Sequence, residues 1–180
     1  MLQRMRQYFF HQSLLKLLQS NRPKPNVPTF EQARSVGILF DATDLHIRQA
    51  VLEYADQLRD QGKRIKRLGY FDSKVEDPNF TFKYFNRKNL DWAGRPTGEQ
   101  VQEFARQSFE WLLILSTETQ PLFEYIAAMS AASLRVGPVA EHTSCYDIMI
   151  DSGSADWQAF IQQMEFVLAK TNTRHEATPI

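Results

Sequence analysis

The sequence holds a single cysteine, Cys145, among 180 residues. That excludes an internal disulfide framework and fits a reducing compartment. Its four histidines, at positions 11, 46, 142 and 175, are scattered. His142 stands close to Cys145, but one HxxC is too short for a zinc site, and no third group orients the two as a catalytic dyad. No apolar run approaches the roughly 18 residues of a membrane span. The N-terminus is apolar only in patches, broken by His11, Gln12, Ser13 and Lys16, with no cleavage site, so no signal peptide is expected. Internal repeats and low-complexity tracts are missing too. Glycine is absent where a nucleotide loop would need it. The first strand runs into Asp41-Ala-Thr-Asp44, whose two acids would repel a phosphate. This speaks against a dinucleotide, although Asp72 sits where a ribose-binding acid could. The expectation is a cytoplasmic protein with no cofactor and no metal.

The formal net charge is zero, from 21 basic and 21 acidic side chains. That balance hides an asymmetry. Residues 1–35 carry Arg4, Arg6, Lys16, Arg22, Lys24 and Arg34 against the single acid Glu31, and the rest of the chain is acidic by the same margin. A basic arm on an acidic body either meets an anionic partner or folds back on its own body. Residues 2–20 read as an amphipathic helix. Leu2, Met5 and Phe9 start its apolar stripe, and Phe10, Leu14, Leu17 and Leu18 continue it. Three prolines between Asn21 and Pro28 mark an extended linker. The domain reading is therefore an arm and linker at 1–28, an α/β body at 29–170 and a flexible tail at 171–180.

The body is organised around Phe109 to Gly137. A short apolar strand, a helix opened by Pro121, and a second strand closed by Gly137 and Pro138 make a βαβ unit, so the sheet is parallel there. Strands also read at 36–41, 64–71, 80–85 (at the sheet edge) and 146–150. Helices follow with stripes Ile47 to Leu58, Val101 to Ala105 and Trp157 to Leu168. Thr43 or Asp44 caps the first of these, a Thr97-Gly-Glu-Gln100 capping box the second, and Ser154 the last. The predicted fold is α/β: one doubly wound, mostly parallel sheet of five to six strands in the order 3-2-1-4-5-6. Helices cover both faces, and the amphipathic helix precedes it.

Ligands of such sheets bind outside the carboxyl ends of the strands. That rule nominates Asp41, Thr43, Asp72 and Ser116 as ligand-binding candidates. Asp41 and Asp72 could pair for metal or acid-base work, or simply end their strands. The stretch 80–95 interleaves Phe82, Tyr84, Phe85 and Trp92 with Lys83, Arg87, Lys88 and Arg95. Such a mixture suits single-stranded RNA, and it equally suits an edge strand with one buried face. Contact candidates for an anionic surface or partner are thus Arg4, Arg6, Lys16, Arg22, Lys24, Lys83, Arg87, Lys88, Trp92 and Arg95.

Several motifs carry a resemblance: Val36-Gly-Ile-Leu-Phe-Asp41, Phe71-Asp72, Leu90-Asp-Trp-Ala-Gly94, Phe109-Glu-Trp-Leu-Leu-Ile114, Tyr125-Ile-Ala-Ala-Met-Ser-Ala-Ala132, Arg135-Val-Gly137 and Tyr146-Asp-Ile-Met-Ile-Asp151. Together they resemble an uncharacterised family of small cytoplasmic Bacteroidetes proteins with a basic N-terminal helix. The resemblance implies a Rossmann-like fold and supplies no catalytic residues. Residues 111–137 are also similar to the N-terminal domain of heptosyltransferase-type GT-B glycosyltransferases, which implies a domain kept for binding without the transferase activity. This chain has no room for their second, nucleotide-sugar domain.

Two functions follow. The first is a non-enzymatic binding or adaptor module whose arm docks on RNA, the ribosome, the inner leaflet of a membrane or a protein partner. The second is a sugar- or nucleotide-binding protein or enzyme working at the strand ends. A homo-oligomer held by the first helix is a third arrangement.

Overall fold

The computed structural model of the chain describes residues 2–20, 27–76, 79–140, 144–151 and 157–173. Helix α1 (Leu2–Ser20) precedes strand β1 (Ser35–Asp41), helix α2 (Leu45–Asp60) and strand β2 (Arg64–Phe71). Strand β3 (Lys83–Asn86), a short 3-10 turn, helix α3 (Glu99–Ala105) and strand β4 (Trp111–Leu115) follow. Helix α4 (Pro121–Met129), strands β5 (Leu134–Pro138) and β6 (Ile148–Ile150), and helix α5 (Trp157–Thr173) complete it. The six strands lie in the order β3-β2-β1-β4-β5-β6, every pair parallel. This is the expected doubly wound α/β sheet in the expected order. The two βαβ crossovers that diverge from β1 and β4 build it outwards in both directions.

Period-2 alternation sorts the central strands into two cores. Val36, Ile38 and Phe40 of β1, with Trp111, Leu113 and Leu115 of β4, pack with α2 and α5 residues such as Val51, Leu58, Phe160 and Met164. Leu39, Leu112 and Ile114 face the other way, toward Val101, Phe104, Phe123, Ile126 and Leu14 from α3, α4 and α1. Gly37 also lies on this second face, and a Cβ there would come within 2.6 Å of the Phe109 ring. Only a glycine lets that ring lie flat on the central strand.

Segment 27–33 is tied in before β1 begins. Trp111 Nε1 donates to the Pro28 carbonyl at 2.9 Å. The buried Lys63 ammonium donates to the carbonyls of Phe30, Glu31 and Ala33.

Some local expectations change, among them the edge strand read at 80–85, which begins only at Lys83 and runs to Asn86. The Thr97–Gln100 capping box does not form. Gly98 is the N-cap of α3 without a side-chain bond, because the Thr97 hydroxyl and N–H both turn to the Asn89 carbonyl. A reciprocal cap instead joins Asn86 and Asn89 around the 3-10 turn. The last strand is shorter than 146–150 and only partly buried, since it forms the sheet edge and Met149 faces outward. Tyr146 packs flat on Gly137 instead, and Asp147 pairs with Arg135. Of the two cap candidates for α2, Asp44 is the one used, accepting from the N–H groups of His46 and Ile47. Ser154 as a cap lies outside the described residues.

Candidate functional site

Helix α1 folds back on the body, and it does so with only one of its apolar faces. Leu14 is 1% exposed, and Phe10, Leu17 and Leu18 pack half-buried beside it. The Phe10 ring lies 5.2 Å from that of Tyr125 on α4. Arg95 Nη1 donates to Ser13 Oγ at 2.9 Å. The stripe read as continuous in the sequence is therefore two. At about 100° per residue, Leu2, Met5 and Phe9 centre roughly 130° away from Phe10, Leu14, Leu17 and Leu18. The first set does not reach the core: Leu2 is 74%, Met5 50% and Phe9 43% exposed. Tyr8 is exposed as well, and Lys16 continues the same face.

One side chain of the body joins this exposed face. The Trp92 ring stands edge-on to Phe9 at 5.2 Å and remains exposed. A built turn presents it. Asp91 accepts from the N–H groups of Ala93 and Arg95, each at 2.9 Å, and from Arg95 Nε at 2.7 Å. Gly94 takes φ +84°, the left-handed conformation the turn needs. The bonds from Arg95 hold the Asp91 carboxyl below the usual carboxylate range against the opposing effect of burial. Beside this face runs an open groove of about 1090 Å³ between α1 and the start of α4. Arg6, Phe10 and His11 line one wall, Ala93, Pro121 and Glu124 the other. Arg4, Arg6 and Lys16 are exposed and form no ion pair among the described residues. Arg22 and Lys24 lie outside the described residues.

The cations of the aromatic stretch are placed differently. Arg87 grips Asp72 with Nε and Nη2 at 2.5 and 2.8 Å. Lys88 reaches Glu76 at 3.5 Å. Arg95 is committed to Asp91 and Ser13, and Lys83 is exposed with no ion pair among the described residues. The rings mostly pack on one another. Phe80 stacks on Phe82 at 5.0 Å and meets Tyr84 edge-on at 4.9 Å, while the buried Phe85 lies 5.0 Å from Tyr70. Trp92 is the exposed large ring of the stretch.

At the carboxyl end of the sheet the structure brings together Asp41, Thr43 and Asp72. Asp41 accepts from the Thr43 N–H at 2.9 Å and from the Gln120 amide at 3.3 Å. Thr43 Oγ1 accepts from the Asp72 N–H at 2.9 Å. Asp72 accepts from Tyr70 and from Arg87, which holds its carboxyl below the usual carboxylate range. Ser116 does not join this row. Its hydroxyl closes a turn on the Glu118 carbonyl at 2.7 Å.

Cys145 is fully buried, and burial followed by the charge of Glu124 pushes its thiol up to about 12. A thiol held neutral in this way is not a nucleophile. Among the described residues no group of three or more His, Cys, Asp or Glu could hold a metal ion. No described helix is long and apolar enough to cross a membrane.

Against known proteins, the model of a family of unknown function, DUF6913, matches residues 6–170, from the second turn of α1 into α5. No curated protein and no solved structure matches the chain.

Proposed function

The chain belongs to the DUF6913 family of unknown function, and from its own surface we propose that it is a non-enzymatic docking module for an anionic membrane surface. The carrying observation is the second apolar face of α1. Leu2, Met5 and Phe9 stand exposed, Phe9 against Tyr8 and Trp92, and the same helix carries the exposed cations Arg4, Arg6 and Lys16. Aliphatic side chains on a helix end suit a headgroup boundary, where apolar groups insert and cations meet lipid phosphates. RNA has no comparable use for exposed Leu2 and Met5. The ring of Trp92 is of the type that settles at such a boundary.

Co-sedimentation of the full chain with lipid vesicles tests this. The protein is expected to pellet with vesicles containing phosphatidylserine, and far less with phosphatidylcholine alone. Each basic residue at an anionic leaflet contributes about 1 kcal/mol, so Arg4→Glu with Arg6→Glu weakens binding at least about 30-fold. Met5→Ser with Phe9→Ser weakens it without changing its salt dependence. Loss of binding on RNase treatment of a lysate, with no response to pure vesicles, would sink the membrane reading in favour of RNA.

A second reading draws on the hydrogen-bonded row Gln120–Asp41–Thr43–Asp72 and on the likeness of 111–137 to heptosyltransferase-type enzymes. Under it the strand ends take a sugar or nucleotide. A ligand panel should then raise the melting temperature of the wild type and not of Asp41→Ala.

A further inference from the structure

Strand β2 is paired along all but its last residue on one side and along half its length on the other. β1 pairs Arg64 to Tyr70, but β3 pairs only Leu68 to Phe71. Among the described residues, no strand pairs with the outer edge of Arg64–Arg67. Alternation tells which backbone groups face it. The Arg64 N–H donates to Arg34 and the Tyr70 carbonyl accepts from Ala42, so even-numbered residues turn toward β1. Ile65 and Arg67 therefore turn outward. Among the described residues, the Ile65 N–H and C=O and the Arg67 N–H have no backbone partner there.

A pocket of about 290 Å³ sits in this notch. Ile65 and Phe82 line it from the α2 side of the sheet; Lys66, Phe104 and Gln107 line it from the α3 side. Only a cavity at the sheet edge, level with the strands, draws on both faces at once. The lining is cationic on balance: Lys66, Arg67 and Lys83 belong to it, and Glu103 is its acid. Asp56, 3.7 Å from Arg67, is the nearby counter-charge.

We infer that this notch binds an acidic peptide in extended conformation, which adds about four residues to the sheet beside Arg64–Arg67 in line with β3. Four residues at about 3.3 Å each match the unpaired length. The unpaired backbone groups supply main-chain bonds, and the cations select acidic side chains on alternate positions. Lysine and arginine on an edge also repel unwanted strands. A second copy of this chain brings the same cations to the same edge and is rejected, whereas an acidic strand is not. The inference is independent of the membrane reading, which concerns α1.

The test uses the full chain and a fluorescein-labelled Glu-Val-Glu-Val-Glu peptide, followed by fluorescence anisotropy and by amide chemical shifts. Binding is expected, with shifts centred on Ile65 and Arg67. N-methylation of alternate peptide nitrogens should weaken it at least about tenfold, because the main-chain bonds are lost while the charges stay. Lys66→Glu with Lys83→Glu should weaken it similarly, and both lysines are exposed enough for that variant to fold. A Lys-Val-Lys-Val-Lys peptide should not bind. No binding at millimolar peptide overturns the inference. So does equal binding of the N-methylated peptide, or shifts confined to α1.

Discussion

Lys63 offers the sharpest stability experiment. Its residue is 5% exposed, and its Nζ donates to the carbonyls of Phe30, Glu31 and Ala33 at 2.6, 3.0 and 3.0 Å. The ammonium has three protons, and each finds an oxygen, so the group is saturated. Burial holds its pKa below that of an ordinary lysine, and Glu31 and Glu110 act in the opposite sense. In Lys63→Met the apolar stem survives and the three bonds are lost. Each charge-assisted bond contributes about 1.5–3 kcal/mol, and the desolvation cost of the ammonium disappears with it. The Phe30 and Glu31 carbonyls lie where water can replace the donor, while the bond to Ala33 is buried. The net loss should therefore be about 2–4 kcal/mol, dominated by the Ala33 oxygen. For a chain of this size that lowers the melting temperature by roughly 5–15 °C. Lys63→Arg should lose part of this, because a planar guanidinium cannot aim at three carbonyls as an ammonium does. Thermal unfolding by circular dichroism reads the shift, with exposed Lys74→Met as the control. If Lys63→Met melts within about 2 °C of the wild type, the carbonyl clamp contributes nothing and the reasoning fails.

The carboxylates predict the acid limb of stability. Asp72 is lowered by Arg87 and then Tyr70, and Asp44 chiefly by the Ile47 N–H. A depressed folded pKa means the stabilisation is complete above the unfolded value near 3.8 and is lost as pH falls through the folded value. Melting temperature should hold above about pH 4 and fall below it, less steeply in Asp72→Asn; an unchanged slope in that variant would refute the assignment. Cys145 should resist a thiol reagent such as DTNB in the native protein and react promptly in denaturant. Rapid native labelling would contradict its burial.

The sheet was legible because its signals are local. Uninterrupted runs such as Trp111–Leu115 and proline at the first turn of α4 mark their elements directly, and right-handed crossovers then restrict the strand order. Side-chain allegiance was not legible. Thr97 and Gln100 have the spacing of a capping box, yet the Asn89 carbonyl takes the Thr97 hydroxyl. Lys63 looks like one more surface lysine, since its acceptors lie some thirty residues upstream. Arg87 and Arg95 read as free cations until the fold brings Asp72 and Ser13 to them. Leu2, Met5 and Phe9 read as the start of one continuous apolar stripe, because the sequence shows which residues are apolar and not which face has a neighbour. The half of β2 left unpaired by the described strands depends on where β3 begins relative to its partner, a register that no single strand carries.

The way α1 is held changes what its free end costs to use. Most helical stability in proteins comes from packing rather than propensity, so a lone α1 would have to order itself upon each encounter. Here Leu14 and the Arg95–Ser13 bond hold the later turns, so the earlier ones grow from an existing nucleus. The free face is already helical before any contact is made, so less entropy remains to be lost there than for an unfolded arm. Encounter should accordingly be limited by diffusion and orientation rather than by folding. Leu14→Ala, a change in the buried core and not on the exposed face, should then slow association by loosening the helix that carries that face.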